Sequence, residues 1–183
     1  SDTSVSFSTS DGTPTVAELQ DLVRAGGVMT VKLFDAFGNS TGASGPTLLR
    51  DVTPPVAPID IMVSLSGGTS SPGVLNGTNI DASFSATVVA GEAAGGRAEF
   101  FVNGVQVGID TDIHAGDTSV SYSTSGGTAA ALQGAIPSAG NVTVKLFDAV
   151  GNEVTGTGPY LQRSVATIGT PTINNARTNG SNP

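Results

Sequence analysis

The chain has 183 residues, with 25 glycines, 10 prolines and no cysteine; 5% of residues are aromatic, 12% are charged, and the formal net charge is -8. The missing cysteines exclude disulfides, thiolate metal sites and cysteine nucleophiles, and a single histidine, His114, excludes a histidine-rich metal site within one chain. Seven Lys and Arg against 15 Asp and Glu argue against nucleic acid as a partner, and no apolar run approaches the roughly 18 residues of a membrane span.

Along the chain, Thr13-Pro14 followed by Val16, Leu19, Leu22 and Val23 and then Gly26-Gly27 predicts a capped helix with a stop. Val31 and Leu33 open the strand pattern. Asp35-Ala-Phe-Gly-Asn39 follows it as a turn, since Asp and Asn bond backbone amides and Gly permits positive φ. Asp51-Val-Thr-Pro-Pro55 is a proline-stiffened junction. Beyond it, Ile59, Ile61, Val63 and Leu65 alternate with other residues, as do Ile80, Ala82, Phe84, Ala86 and Val88. Ala98, Phe100 and Val102 lead into Asn103-Gly104, a type I′ hairpin dipeptide, and Val105, Val107 and Ile109 continue beyond it. Val120 with Tyr122 and Val142 with Val144 and Leu146 predict two more strands, and Thr155 to Val165 a last one. Ala129 to Gln133 predicts a single helical turn bridging two sheets. From Ile59 to Val165 this amounts to about seven short strands, the count of an all-β sandwich, in which two amphipathic sheets cover each other's apolar faces.

The sequence also repeats. Asp2-Thr-Ser-Val-Ser-Phe-Ser-Thr-Ser10 recurs as Asp117-Thr-Ser-Val-Ser-Tyr-Ser-Thr-Ser125, and Val31-Lys-Leu-Phe-Asp-Ala36 recurs as Val144-Lys-Leu-Phe-Asp-Ala149. Gly38-Asn39 matches Gly151-Asn152, and Gly45-Pro46 matches Gly158-Pro159. A period of roughly 115 residues is too long for a solenoid unit and suits one sandwich domain. Residues 1–54 match only the second half of the unit, 55–165 form one complete unit, and 166–183 match only its opening. The expected organisation is one complete domain flanked by two partial ones.

Three acidic groups are candidate metal sites. Asp110-Thr-Asp112 with Asp117 would offer hard oxygen ligands to calcium, without the full EF-hand spacing; the same residues also suit a polar loop in which Asp117 caps a turn. Asp35 with Asn39, and its twin Asp148 with Asn152, suit either the turn or calcium. Asp51 with Asp60, joined by Asp35 or Asn39, would hold an ion at the junction; the other reading is a stiff linker without metal. His114 among serines lacks any nucleophile-elbow pattern, so no enzyme is expected. Lys32 and Lys145 are predicted to face solvent.

Val144-Lys-Leu-Phe-Asp-Ala-Val-Gly-Asn152, Phe101-Val-Asn-Gly104 and Asp51-Val-Thr-Pro-Pro55 resemble the penultimate strand and hairpin, the mid-domain hairpin and the inter-repeat junction of bacterial immunoglobulin-like repeats of large surface proteins. The resemblance covers nearly the whole chain through short structural motifs. It implies an immunoglobulin-like sandwich and an extracellular, cell-surface setting in adhesins, surface layers or filaments, with tandem spacers stiffened by calcium. The second junction, Ser164-Val-Ala-Thr-Ile-Gly169, lacks the aspartate, so the two junctions do not share one ligand set.

Three functions follow as expectations. The first is a structural repeat segment of an adhesin stalk, surface layer or filament, giving length, stiffness and assembly contacts with adjacent repeats. The second is a self-assembling homopolymer subunit whose incomplete N-terminal domain is completed by strands of an identical neighbouring chain. The third is a calcium-dependent cell-surface binding module, for which the absence of Trp and the presence of only two Tyr offer few aromatic platforms.

Overall fold

A computed structural model describes residues 26–69, 71–124 and 127–165. The predicted helix of residues 13–23, the first copy of the Asp-Thr-Ser-Val motif and the opening strand of residues 166–183 lie outside the described residues. The chain divides into two compact units, Ser1–Thr53 and Pro54–Pro183.

In the first unit the described residues form one antiparallel hairpin. Strand β1 (Gly27–Phe34) pairs with β2 (Ser40–Leu48), Phe34 opposite Ser40 and Gly27 opposite Leu48. The ladder shifts register between Val28 and Thr30.

The second unit is a two-layered β structure with one short helix. Its strands are β3 (Ile59–Ser66), β4 (Val74–Asn76), β5 (Asp81–Thr87), β6 (Arg97–Val102), β7 (Val105–Asp110), β8 (Ser119–Ser123), β9 (Gly140–Phe147) and β10 (Glu153–Ser164). One sheet runs β3-β5-β8 and the other β4-β10-β9-β6-β7. The period-2 alternation does its predicted work. Ala82, Phe84 and Ala86 of β5 point inward, as do Ala98, Phe100 and Val102 of β6 and Val142, Val144 and Leu146 of β9. Phe84 and Phe100 meet across the two sheets with ring centroids 6.2 Å apart, and Tyr122 of β8 stacks on Phe100 at 6.4 Å. Burial of such side chains, about 1.5–3 kcal/mol each, is the main force holding the layers together.

Glycine sets the closest approach between sheets. A Cβ at Gly156 would fall on the carbonyl oxygen of Pro58, and one at Gly158 would lie 2.5 Å from Cγ2 of Ile61. β10 therefore presents bare backbone where β3 crosses it.

Asn103 and Gly104 take φ of 50° and 77°, so the β6–β7 loop is the two-residue turn that the dipeptide predicts, with Val102 opposite Val105. The helix α1 (Ala129–Ala135) extends beyond the predicted single turn. Thr128 caps it by accepting from the Ala131 amide at 3.2 Å, Leu132 is its buried residue, and Pro137 follows. Arg163 of β10 donates through Nε to the Ile136 carbonyl at 3.1 Å, which ties the helix end to the five-stranded sheet.

Strand β4 is absent from the sequence prediction. Three residues carry no readable period, and the strand is held instead by Asn79, a fully buried polar side chain. Its Oδ1 accepts from the Asn76 amide at 2.8 Å and its Nδ2 donates to the Gly67 carbonyl at 3.1 Å. β4 then runs parallel to the end of β10, Val74 opposite Gln162.

Candidate functional site

The same hairpin occurs twice. β1 and β9 are identical at six of eight positions, differing only at Val28 and Met29 against Asn141 and Val142. Each strand runs into an Asp-x-x-Gly-Asn turn built by the same bonds. In the first, Asp35 Oδ1 accepts from the amides of Phe37 at 2.9 Å and Asn39 at 2.8 Å, and Oδ2 accepts from Asn39 Nδ2 at 2.8 Å. In the second, Asp148 Oδ1 accepts from Val150 at 3.0 Å and Asn152 at 2.9 Å, and Oδ2 accepts from Asn152 Nδ2 at 2.7 Å. Backbone bonds close both turns, with Gly38 at φ 87° and Gly151 at φ 94°.

These bonds favour the carboxylate form. The side-chain bond from Asn39, followed by the amides, holds Asp35 below its ordinary value. At Asp148 desolvation pushes upward, and the Asn152 side chain and three amides outweigh it, so its value is lowered too. The turn chemistry thus has a direct geometric counterpart at both positions.

The apolar faces of the two hairpins differ. Val144 and Leu146 are 0% exposed and Phe147 7%, whereas their counterparts Val31, Leu33 and Phe34 are 46%, 49% and 65% exposed. β9 has β6 along its outer edge, Arg97 opposite Phe147 and Glu99 opposite Lys145, and the three-stranded sheet across the core. Among the described residues β1 pairs with β2 alone.

On the outward face of the second unit, Arg97 lies over the Phe147 ring, 3.6 Å from its centroid, and donates through Nε to Glu99 Oε1 at 2.7 Å. Lys145 Nζ sits 3.5 Å from Glu153 Oε1 at the surface, in line with its predicted outward direction. Lys32 Nζ sits 5.3 Å from the centroid of Phe34, and Ser40 occupies the place that Glu153 has in the second hairpin.

The acidic loop is organised by its own backbone. Asp110 Oδ1 accepts from the Asp112 amide at 3.1 Å and Oδ2 from the Ser121 amide at 3.0 Å, fastening the loop to β8. Asp117 Oδ2 accepts from the His114 amide at 2.7 Å, the capped turn expected there. The exposed His114 ring lies between two carboxylates, Nε2 3.6 Å from Asp112 and Nδ1 3.6 Å from Asp117. Among the described residues no group of three or more His, Asp and Glu side chains is arranged to hold a metal ion. The junction set is divided: Asp51 belongs to the first unit and accepts from the Thr53 amide at 3.0 Å. Asp60 belongs to the second unit and sits at φ 48°, where the β3–β5 ladder shifts register.

Sequence reading missed Asn79, the Arg97–Phe147 contact and Asp81, whose Oδ1 accepts from Thr124 Oγ1 at 2.5 Å between β5 and β8. Arg97 and Glu99 carried a signal, since they alternate with the inward Ala98 and Phe100. Thr124 lies 43 residues from Asp81, and no local pattern joins them. The chain matches no protein-family profile, no curated protein and no solved structure.

Proposed function

We propose that the chain is a structural repeat segment of a bacterial extracellular surface protein, built from immunoglobulin-like sandwiches that supply length, stiffness and assembly contacts. The observation that carries this reading is the duplicated Asp-x-x-Gly-Asn hairpin, with matching hydrogen bonds at Asp35 and Asp148. Duplicating a fold-forming element extends an array, whereas duplicating a chemical site would also copy its polar residues. Low charge density with a net charge of -8 suits an exposed polymer that must stay soluble.

Antibodies raised against residues 54–165 test this reading on intact producing cells. The expected result is labelling that protease shaving removes. Labelling that appears only after lysis would overturn it.

A further inference from the structure

The first and last strands of the second unit run in the same direction, one in each sheet. Pro58 and Ile61 at the start of β3 lie against Gly156 and Gly158 near the start of β10, so the residue numbers of the two strands rise together. The chain enters the unit at the start of β3 and leaves it at the end of β10. Tension along the chain therefore draws these strands in opposite directions along their own axes and urges the two sheets to slide past each other. Apolar packing is non-directional, so directional bonds between the sheets matter most against sliding.

Such bonds gather at the far end of both strands. β4 pairs in parallel with the end of β10, Val74 opposite Gln162 and Asn76 opposite Ser164, and the Gln162 amide donates to the Gly73 carbonyl at 2.8 Å. The same short segment grips the other sheet at the end of β3. Asn79 Nδ2 donates to the Gly67 carbonyl at 3.1 Å, and the Ile80 amide donates to the Ser66 carbonyl at 2.9 Å. Asn79 Oδ1 accepts from the Asn76 amide at 2.8 Å, so one side chain joins the two grips. That side chain is 0% exposed, and water does not compete for its bonds.

We propose that Asn79 is a mechanical brace, which passes chain tension from the end of β10 through β4 to the end of β3 and keeps the unit folded under pull. This rests on the array reading, because neighbouring repeats are what apply the tension. Bonds that lie across the pull break together rather than one after another, so the brace acts against force along the chain. A pull that does not pass through β4 leaves it idle.

Force-clamp unfolding of single whole chains tests the brace. The sequence holds no cysteine, so paired cysteines place the handles. Thr53→Cys with Val165→Cys pulls β3 against β10, whereas Ala149→Cys with Gln106→Cys pulls β9 against β7 and leaves β4 aside. With the first pair, Asn79→Ala should raise the unfolding rate at constant force about tenfold, because two buried bonds are lost. With the second pair the change should stay under about twofold. Asn79→Ser, which keeps a hydroxyl in the buried place but shortens its reach, should show the same contrast and covers a failure of Asn79→Ala to fold. Leu132→Ala, a core loss outside the brace, should speed unfolding alike in both directions. Equal acceleration by the Asn79 variants in the two directions, no change with the first pair, or the same contrast in Leu132→Ala would overturn the proposal. The surface-labelling experiment is independent: labelled cells with direction-independent unfolding would remove the brace and leave the array.

Discussion

The guanidinium carbon of Arg97 lies 3.6 Å from the centroid of the Phe147 ring, and this contact marks what separates two copies of one hairpin. With β6 in place, Phe147 is covered, Lys145 faces Glu99 across the ladder, and Leu146 is sealed in the core. In β1 the same three residue types stand on an exposed strand. Burial here is decided by the neighbouring strand rather than by the local sequence.

A paired substitution separates the two environments. Leu146→Ala should destabilise the second unit by about 2–5 kcal/mol, because a fully buried side chain leaves a cavity. Leu33→Ala, at the equivalent exposed place, should leave the stability of the first unit to urea within about 0.5 kcal/mol of its original value. Equal losses, each in its own unit, would show that Leu33 is buried as Leu146 is.

Asp148→Ala removes three acceptor contacts from the second turn and should cost about 1–2 kcal/mol near neutral pH. Because the folded pKa of Asp148 is depressed below 3.8, its contribution is fully present above that value and is lost as pH falls through the folded value. Urea unfolding of both proteins from pH 7 to pH 2 should show curves converging on the acid side. A constant difference would assign the effect to something other than the carboxylate.

Glycine substitutions probe the close contacts. A Cβ at Gly96 would fall on the Phe147 carbonyl oxygen, whereas one at Gly116 meets nothing within 4 Å. Gly96→Ala should lower stability by about 3 kcal/mol through forced backbone movement, with Gly116→Ala close to neutral. Thermal melting of the two variants checks the contrast, and similar shifts would contradict the packing at β9.

Calcium and a chelator distinguish two uses of Asp110, Asp112 and Asp117. If the Asp110 and Asp117 carboxylates serve only to accept from the amides of Asp112, Ser121 and His114, the two melting curves coincide, which is the outcome the hydrogen bonding predicts. A rise of several degrees with calcium would assign them to a metal.

Much of the second unit was legible because its cause is local. Alternation along Asp81–Thr87 and Gly140–Phe147 set the inward faces, and Asn103-Gly104 set its own turn through two positive φ angles. The Asp35 and Asp148 turns were readable for the same reason, since every bond spans four residues or fewer. Features that depend on distant partners were hidden. Strand β4 rests on the side chain of Asn79 and a parallel pairing with β10, and Arg163 meets the helix end 27 residues away.

The most direct test of the paired-hairpin account is amide hydrogen exchange compared strand by strand in the whole chain. β9 amides bonded to β6 should exchange only by global unfolding of the second unit, while the equivalent β1 amides should exchange orders of magnitude faster. Equal protection of β1 and β9 would contradict the account, because it would require β1 to be covered as completely as its twin.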